Sequence, residues 1–286
     1  MRRVRGVDGL LCLLTEKIDA EVIDVAGPQL KVISNFAVGF DNIDTHAATA
    51  RKIPVGNTPD VLTDATADFA FALMLSVSRR LMEGERYVRD GQWKTWNPML
   101  LLGVEMKGAT LGLVGFGRIG KAVARRAMGF DMRVIYYDPT ETETHSALNT
   151  TGVDFETLLK ESDIISLHTP LTDKTHHLID SAALSKMKPT AVLINTARGP
   201  VVDPDALYEA LKHNHIFGAG LDVTDPEPLP PNSLLLTLDN IVIMPHLGSA
   251  SITARDNMSW IAARNLIAGL KGERLPNCVN PQVYGN

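Results

Sequence analysis

Short apolar runs alternate with helical patterns along the chain. In the first part, residues 9–14 (GLLCLL) and 30–35 (LKVISN) have the length and composition of buried strands, and the segment between them predicts a helix that ends at Gly27. A second helix is expected at about 44–52 and a short strand at 54–57. This alternation is typical of α/β proteins with parallel strands.

The longest helical pattern extends from Thr63 to Asp90, where Gly84 is the only glycine and there is no proline. One helix of about 28 residues is long for a globular domain, so the pattern indicates a connector or a subunit-contact element. The loop that follows, QWKTWNPMLLLG, carries two of the three tryptophans. We therefore expect residues 63–98 to form a connector and dimerisation segment.

A second α/β series follows this segment. Its helical patterns include RIGKAVARRAM, DFETLLKESD and DPDALYEALKHN. Its predicted strands lie at 110–114, 133–137, 163–167, 191–195, 218–223 and 240–244. Six strands with helical crossovers predict a doubly wound parallel sheet.

The last amphipathic pattern, residues 251–273, predicts a helix that returns to the first domain. The expected fold class is therefore α/β, with doubly wound parallel sheets. The returning helix makes the first domain discontinuous, at 1–62 and 250–286. The second domain, at 99–249, is then inserted in it after the connector.

Composition excludes several classes of protein. No apolar run among the 286 residues approaches the roughly 20 that a membrane span needs. A net charge of −5 without a block of Lys and Arg argues against nucleic acid as a partner. Two cysteines, Cys12 and Cys278, argue against a disulfide framework or a zinc cluster and favour a reducing compartment, so we expect a cytoplasmic protein.

The histidines do not suggest a metal site. None shows a ligand spacing such as HxxxH. The adjacent His176 and His177 are expected to point in different directions. We therefore expect no bound metal.

A glycine-rich loop closes the strand at 110–114. Gly115, Gly117 and Gly120 form a GxGxxG pattern that opens a helix, where backbone N–H groups can hold a pyrophosphate. The next strand ends at Asp138, in the place where a carboxylate meets the adenosine ribose hydroxyls and repels a 2′-phosphate. Because the segment PTETET that follows has no arginine, NAD(H) is preferred over NADP(H).

Small or polar residues follow all six predicted strands of the second series. Ligands of an open parallel sheet bind beyond the carboxyl ends of its strands, so one crevice is expected there. Three of the residues suit chemistry on an acid: Arg198 can grip a carboxylate, His246 can exchange a proton, and Glu227 beside an imidazole favours the imidazolium. Without the context of the strand ends, Glu227 also fits a solvated loop carboxylate, and His246 also fits a structural histidine.

The segments GFGRIG, DIISLHTPLT, INTARGPVVD, GLDVTDPEPLP and PHLGSAS together resemble the D-isomer-specific 2-hydroxyacid dehydrogenases. TPDVLTDATADFAFALML and GQWKTWNPMLLLG look most like the glyoxylate/hydroxypyruvate reductase branch of that family. The resemblance implies NAD(P)H-dependent, reversible reduction of a small 2-oxo acid such as glyoxylate or hydroxypyruvate to the D-2-hydroxy acid. It also implies two Rossmann-like domains, with an NAD-binding domain at 99–249 inserted in a substrate-binding domain at 1–62 and 250–286. A homodimer with contacts through residues 63–90 is implied as well.

The resemblance assigns roles to individual residues. Arg198, Glu227 and His246 are the implied catalytic residues, and Val38 and Gly39, with Arg198, the implied substrate-binding residues. The implied cofactor contacts are Gly115, Gly117, Arg118, Ile119, Gly120, Asp138, Thr169, Pro170, Thr196, Ala197, Arg198, Asp222, His246, Leu247 and Gly248.

Alternatives remain open at this point. Within the enzymes, a phosphoglycerate or D-lactate type of dehydrogenase fits the same residues. A non-catalytic, NAD-sensing protein like the co-repressors that share this fold is an alternative of another class. The chain also starts at Met1, downstream of the first strand and helix usual in the family, so we expect a shortened substrate-binding domain, as either a native short form or an unstable truncated product.

Overall fold

The computed structural model describes residues 4–140 and 146–285. The chain forms two compact units: Met1–Leu62 with Ala250–Asn286, and Thr63–Ser249. Residues 63–98, the expected connector, belong to the second unit. Most of the segment PTETET, on which the argument about a 2′-phosphate depends, and His145 lie outside the described residues.

Helices and strands alternate through both units. The described strands are β1 Gly9–Cys12, β2 Val32–Asn35, β3 Val55–Gly56, β4 Thr110–Val114, β5 Arg133–Tyr137, β6 Thr150–Gly152, β7 Ile164–Leu167, β8 Val192–Asn195, β9 Gly218–Leu221 and β10 Ile241–Ile243. The described α-helices are α1 Ala20–Ala26, α2 Thr45–Ala50, α3 Thr63–Ser78, α4 Leu81–Arg89, α5 Arg118–Ala127, α6 Phe155–Glu161, α7 Ser181–Lys186, α8 Pro204–Lys212 and α9 Ile252–Leu270.

The first unit contains a parallel sheet in the order β1-β2-β3. Helix α9 packs against this sheet, and a Cβ at its Gly269 would lie 2.4 Å from Val32 Cβ. The core includes Ile23 of α1, Ile33 of β2 and Ala48 of α2. Asp19 is the N-cap of helix α1, and its carboxylate accepts a hydrogen bond from the N–H of Val22.

The second unit contains a parallel sheet in the order β10-β9-β8-β7-β4-β5-β6. Strands β4, β7, β8 and β9 are buried along their whole length, as expected of strands covered on both faces. Apolar residues of helices α3 and α5 pack with strand residues in one hydrophobic core, and those of α6, α7 and α8 pack with strand residues in a second one. This arrangement confirms the predicted α/β class with a doubly wound parallel sheet.

Two elements of this unit are not in the sequence prediction. Strand β6 (Thr150–Gly152) pairs with β5 and is an outermost strand of the sheet, although its sequence, TTG, contains no large apolar residue. Helix α7 is short, and its start is fixed by Asp180, which accepts a hydrogen bond from the N–H of Ala183. Elements without strong apolar periodicity leave little signal in the sequence.

The single helix predicted over 63–90 is wrong, because the structure has two helices there. Helix α3 ends at Ser78, and Arg80 has a left-handed φ of 51°. The carbonyl of Ser78 accepts a hydrogen bond from the N–H of Val104 at 2.8 Å. Gly103 makes this possible, since a Cβ there would lie 2.2 Å from that oxygen. A tertiary contact therefore ends a helix that the local pattern would continue.

Candidate active site

The carboxyl ends of the parallel strands in the second unit lie at one edge of the sheet. Because neighbouring strands are hydrogen-bonded in register, the residues that follow them are also neighbours. His246 follows β10, and the N–H of its backbone donates to the carbonyl of Asp222, which follows β9. The N–H of Asp222 in turn donates to the carbonyl of Asn195, the last residue of β8.

The glycine loop stands at the same edge, between β4 and α5. Gly115 has φ 93°, and a Cβ there would lie 2.6 Å from the carbonyl oxygen of His168. A Cβ at Gly120 would lie 2.3 Å from the carbonyl oxygen of Gly115. Only glycine fits these two positions.

Gly117 differs from these two glycines. It is exposed at the start of α5, and beyond Gly117 and its two chain neighbours no atom of the described chain lies within 4 Å of a Cβ built on it. An open glycine at the N-terminus of a helix leaves space for a phosphate close to backbone N–H groups. The loop therefore fits the pyrophosphate of a dinucleotide. Arg118 is exposed in the first turn, while Ile119 packs against the core.

Asp138 supports the glycine loop from the end of β5. One carboxylate oxygen accepts a hydrogen bond from the N–H of Phe116 at 2.8 Å, and the other accepts from the N–H and hydroxyl of Thr140. The carboxylate is thus fixed beside the loop, at the position where a ribose hydroxyl of a dinucleotide is expected.

Arg198 stands on a turn between β8 and a short 3₁₀ segment, Gly199–Val201. Its Nη1 donates to the carbonyl of Ala197 at 2.8 Å, and Ala197 is buried. A Cβ at Gly199 would lie 1.9 Å from the carbonyl oxygen of Thr224. The turn with Arg198 is therefore packed directly against the start of the loop that carries Glu227.

Glu227 and His246 form a hydrogen-bonded pair. His246 Nδ1 lies 2.6 Å from Glu227 Oε1, with side chains only 25% and 30% exposed. Since a carboxylate only accepts, Nδ1 is the donor, and Nε2 is left as the nitrogen for proton exchange. Burial raises the pKa of Glu227, but the hydrogen bond and charge of His246, the N–H of Thr224 and the charge of Arg198 outweigh it, so this pKa is lowered.

Asp222 fixes the turn that carries His246. Its buried carboxylate accepts hydrogen bonds from the N–H groups of Leu247 at 2.6 Å and Gly248 at 2.7 Å. Burial raises the pKa of Asp222 in spite of these bonds and the charge of His246. The turn needs such support because His246 has φ 56°, a left-handed conformation that costs free energy for a side-chain-bearing residue.

His168 is a residue to which the sequence analysis gave no role. Its Nε2 lies 2.9 Å from Ser166 Oγ, and its Nδ1 lies 3.5 Å from Thr196 Oγ1. Burial lowers the pKa of His168 to about 3, so the imidazole is neutral. Thr169 and Pro170 follow on the same strand end, and the carbonyl of Pro170 accepts from the Thr175 hydroxyl.

Val38 and Gly39 lie in the first unit, in the loop after β2. The carbonyl of Val38 accepts from Asn57 Nδ2 at 2.8 Å, and that of Gly39 accepts from Asn35 Nδ2 at 2.9 Å. Within the described part of the chain, the N–H groups of both residues have no hydrogen-bond partner. Two such groups side by side, on a loop held by two amide side chains, suit an anion.

The expectation for His176 and His177 is wrong in its geometry. The two rings stack, with centroids 4.1 Å apart, because His177 has a left-handed φ of 49°. No group of three or more His, Cys, Asp or Glu residues in the described ranges could hold a metal ion. Among the same residues, no helix has the length and hydropathy needed to cross a membrane.

Comparison with known proteins gives the class. Residues 71–248 match the profile of "D-isomer specific 2-hydroxyacid dehydrogenase, NAD binding domain". The chain belongs to this family of NAD(P)-dependent oxidoreductases.

The similarity to individual proteins indicates the glyoxylate reductase branch of this family. The chain is 55% identical over 286 residues to the glyoxylate reductase of Thermofilum pendens, covering 99% of this chain and 84% of that protein. A solved structure from Thermus thermophilus is 53% identical, with a TM-score of 0.91 over 97% of this chain and 88% of that one. The NADPH-dependent glyoxylate/hydroxypyruvate reductase of Sinorhizobium meliloti, solved with NADP and malonate, is 36% identical, with a TM-score of 0.89 over 98% and 87%.

Proposed function

We propose that the protein reduces a small 2-oxo acid, glyoxylate or hydroxypyruvate, to the D-2-hydroxy acid with NADH, in a reversible reaction. The observation that carries the proposal is the Glu227–His246 pair, at the sheet edge that also holds Arg198 and an open glycine loop. A proton donor, a fixed cation and a dinucleotide loop are what the reduction of a 2-oxo acid requires. When bound, the nicotinamide supplies the hydride that reaches the 2-oxo carbon.

His246 is the proposed proton donor in the reducing direction. Nδ1 donates to Glu227, so Nε2 carries the proton that passes to the developing alkoxide oxygen. The Glu227 carboxylate stabilises the imidazolium before that transfer. In the oxidising direction, the neutral His246 takes the hydroxyl proton at Nε2.

Arg198 is the proposed electrophile and substrate-orienting group. Its guanidinium is a planar cation whose fork of N–H donors matches the geometry of a carboxylate and an adjacent carbonyl oxygen. It binds the acid and polarises its 2-oxo group. The N–H groups of Val38 and Gly39 are proposed to bind the substrate carboxylate.

Dinucleotide binding is assigned to the sheet edge of the second unit. The proposed pyrophosphate contacts are the backbone N–H groups of the glycine loop, from Gly117 to Gly120. We propose Asp138 for the ribose hydroxyls. The remaining proposed contacts are Thr169, Pro170, Thr196, Ala197, Arg198, Asp222, His246, Leu247 and Gly248.

NADH is proposed as the preferred cofactor because the Asp138 carboxylate is held in place and repels a 2′-phosphate. The similar reductase of Sinorhizobium meliloti is NADPH-dependent, so the preference has to be measured for this chain. Steady-state rates with each cofactor on one substrate decide it. A higher kcat/KM with NADPH than with NADH would contradict the role given to Asp138.

The substrate is identified by rates on glyoxylate, hydroxypyruvate and pyruvate. We expect the two reductase substrates to exceed pyruvate in kcat/KM, whereas the opposite order would favour a D-lactate type of dehydrogenase. Both Arg198→Ala and His246→Ala are expected to lower kcat by at least about 10²-fold. Near-normal rates in His246→Ala would exclude the mechanism, and NADH binding without turnover of any 2-oxo acid would favour a sensor.

We also propose that the protein is a cytoplasmic homodimer. Two free cysteines, one of them buried, suit a reducing compartment. Helix α4 has no buried residue, and the segment after it exposes Trp93, Trp96, Met99 and Leu102. Apolar surface of this extent is typical of a protein–protein interface. Light scattering should give twice the chain mass, and a monomer at micromolar concentration would contradict the dimer.

A further inference from the structure

The side chain of Asn195 spans the turn that carries Arg198. Asn195 is the last residue of β8 and is completely buried. Its Oδ1 accepts a hydrogen bond from the N–H of Ala197 at 3.0 Å, and its Nδ2 donates to the carbonyl of Arg198 at 2.8 Å. One carboxamide therefore holds both the start and the end of the turn.

The backbone of Asn195 is fixed by the sheet. It is in register with Leu221 of β9, and its carbonyl accepts from the N–H of Asp222 at 2.9 Å. The sheet thus fixes the Asn195 backbone, and the carboxamide transmits that position to Arg198. Arg198 itself donates from Nη1 to the carbonyl of Ala197, the residue that Asn195 also binds.

The chemistry of the position selects asparagine. The buried turn presents one N–H donor and one carbonyl acceptor to the same side chain, and a carboxamide satisfies both. An aspartate would accept from Ala197 but would bring a charged oxygen against the carbonyl of Arg198. An aliphatic side chain would leave both backbone groups without a partner in a buried site.

We propose that Asn195 is a positioning residue that fixes the guanidinium of Arg198 for the bound 2-oxo acid. The inference rests on the proposed function, in which Arg198 binds and polarises the substrate. Small displacements of an orienting group are sufficient to lower turnover strongly. Among the described residues, the carboxamide of Asn195 hydrogen-bonds only to backbone atoms of this turn, so the effect of the side chain passes through Arg198.

A double-mutant cycle tests the coupling. Asn195→Ala is expected to lower kcat/KM for glyoxylate by about 10- to 100-fold. Once Arg198→Ala is present, adding Asn195→Ala should change kcat/KM little, because the group that Asn195 positions is gone. Additive losses in the double variant would overturn the inference. If the wild-type protein reduced no 2-oxo acid, the proposed function would fail instead, so the two failures are distinguishable.

The pH dependence of Asn195→Asp gives a readout that a loss of stability alone would not produce. When protonated, the new carboxyl can donate to the carbonyl of Arg198, so the ratio of variant to wild-type kcat/KM should rise as the pH is lowered from neutral. Asn240→Asp is the matched control. Asn240 lies immediately before β10, at the amino ends of the strands of the same sheet, and its Nδ2 donates to the carbonyl of Leu211 at 3.1 Å. Its ratio should not vary with pH. A constant ratio in Asn195→Asp, or the same rise in the control, would overturn the inference.

Discussion

Glu227 accepts a hydrogen bond from Nδ1 of His246 at 2.6 Å, and this contact fixes which ring nitrogen is free to exchange a proton. The pair joins a proline-rich loop to the end of β10. Removal of the negative charge of Glu227 tests what this contact contributes to proton transfer.

Glu227→Gln should lower the rate of 2-oxo acid reduction by about tenfold or more, a smaller loss than removal of the imidazole. The amide still accepts from Nδ1 but brings no negative charge to the imidazole that donates the proton. The kcat/KM with NADH and glyoxylate measures this. A value equal to that of the wild type would contradict the role proposed for Glu227.

Glu227→Gln should also change how the free energy of unfolding depends on pH. Because the folded state lowers the pKa of Glu227, its carboxylate stabilises the fold above its unfolded pKa, and this stabilisation is lost as the pH falls through the lower, folded value. Glu227→Gln should therefore lose less of its free energy of unfolding on acidification than the wild type does. Urea unfolding at neutral and acid pH is the measurement.

Gly117→Ala should weaken NADH binding without changing thermal stability. The new methyl group meets no atom of the described chain beyond its two neighbours in sequence, so Tm should stay the same. It would occupy the space proposed for the pyrophosphate, and the Kd for NADH should rise at least about tenfold, equivalent to about 1.4 kcal/mol. Fluorescence titration measures the Kd, and wild-type affinity would place the dinucleotide elsewhere.

Gly199→Ala, unlike Gly117→Ala, should lower the stability of the fold. A Cβ there would lie 1.9 Å from the carbonyl oxygen of Thr224, so the two loops have to separate, at a cost of about 1–3 kcal/mol. We expect a Tm several degrees lower and a large loss of kcat, since Arg198 and Glu227 stand on these loops. Gly129→Ala, which meets no atom within 4 Å, is the control and should keep both values.

His168→Gln should flatten the acid side of the stability profile. Burial lowers the pKa of His168 to about 3 from 6.5, so between these values the unfolded state binds a proton that the folded state does not. Stability therefore falls as the pH drops through this window, by at most about 1.4 kcal/mol per pH unit. The free energy of unfolding of the variant should depend less steeply on pH there, and equal slopes would contradict the buried neutral imidazole.

The sequence predicts the elements whose signal is local. The apolar strand before Gly115 and the spacing of Gly117 and Gly120 specify a strand, turn and helix, and the structure contains them. The β-α alternation likewise predicts the doubly wound sheet. Parallel strands place their polar ends at one edge, so the neighbourhood of Arg198 and His246 follows from the same pattern.

What the sequence could not predict depends on tertiary contacts. The end of α3 at Ser78 requires Gly103, which is distant along the chain, to approach its carbonyl. The bonds of Asn195 and Asp222 also leave no periodic signal, because each depends on the path of a turn. Their only trace is a polar residue at the end of a buried strand, which indicates a site but not its hydrogen-bond partners.

The hydrogen bond from Val104 to the carbonyl of Ser78 has a consequence for protein engineering. The chain leaves the core of the second unit after Ser78 and returns to the same carbonyl, so residues 79–103 begin and end at one point. This excursion includes α4 and exposed tryptophans. Replacing it by a short glycine-containing linker should therefore leave the nucleotide-binding fold intact and remove the surface proposed for the dimer contact.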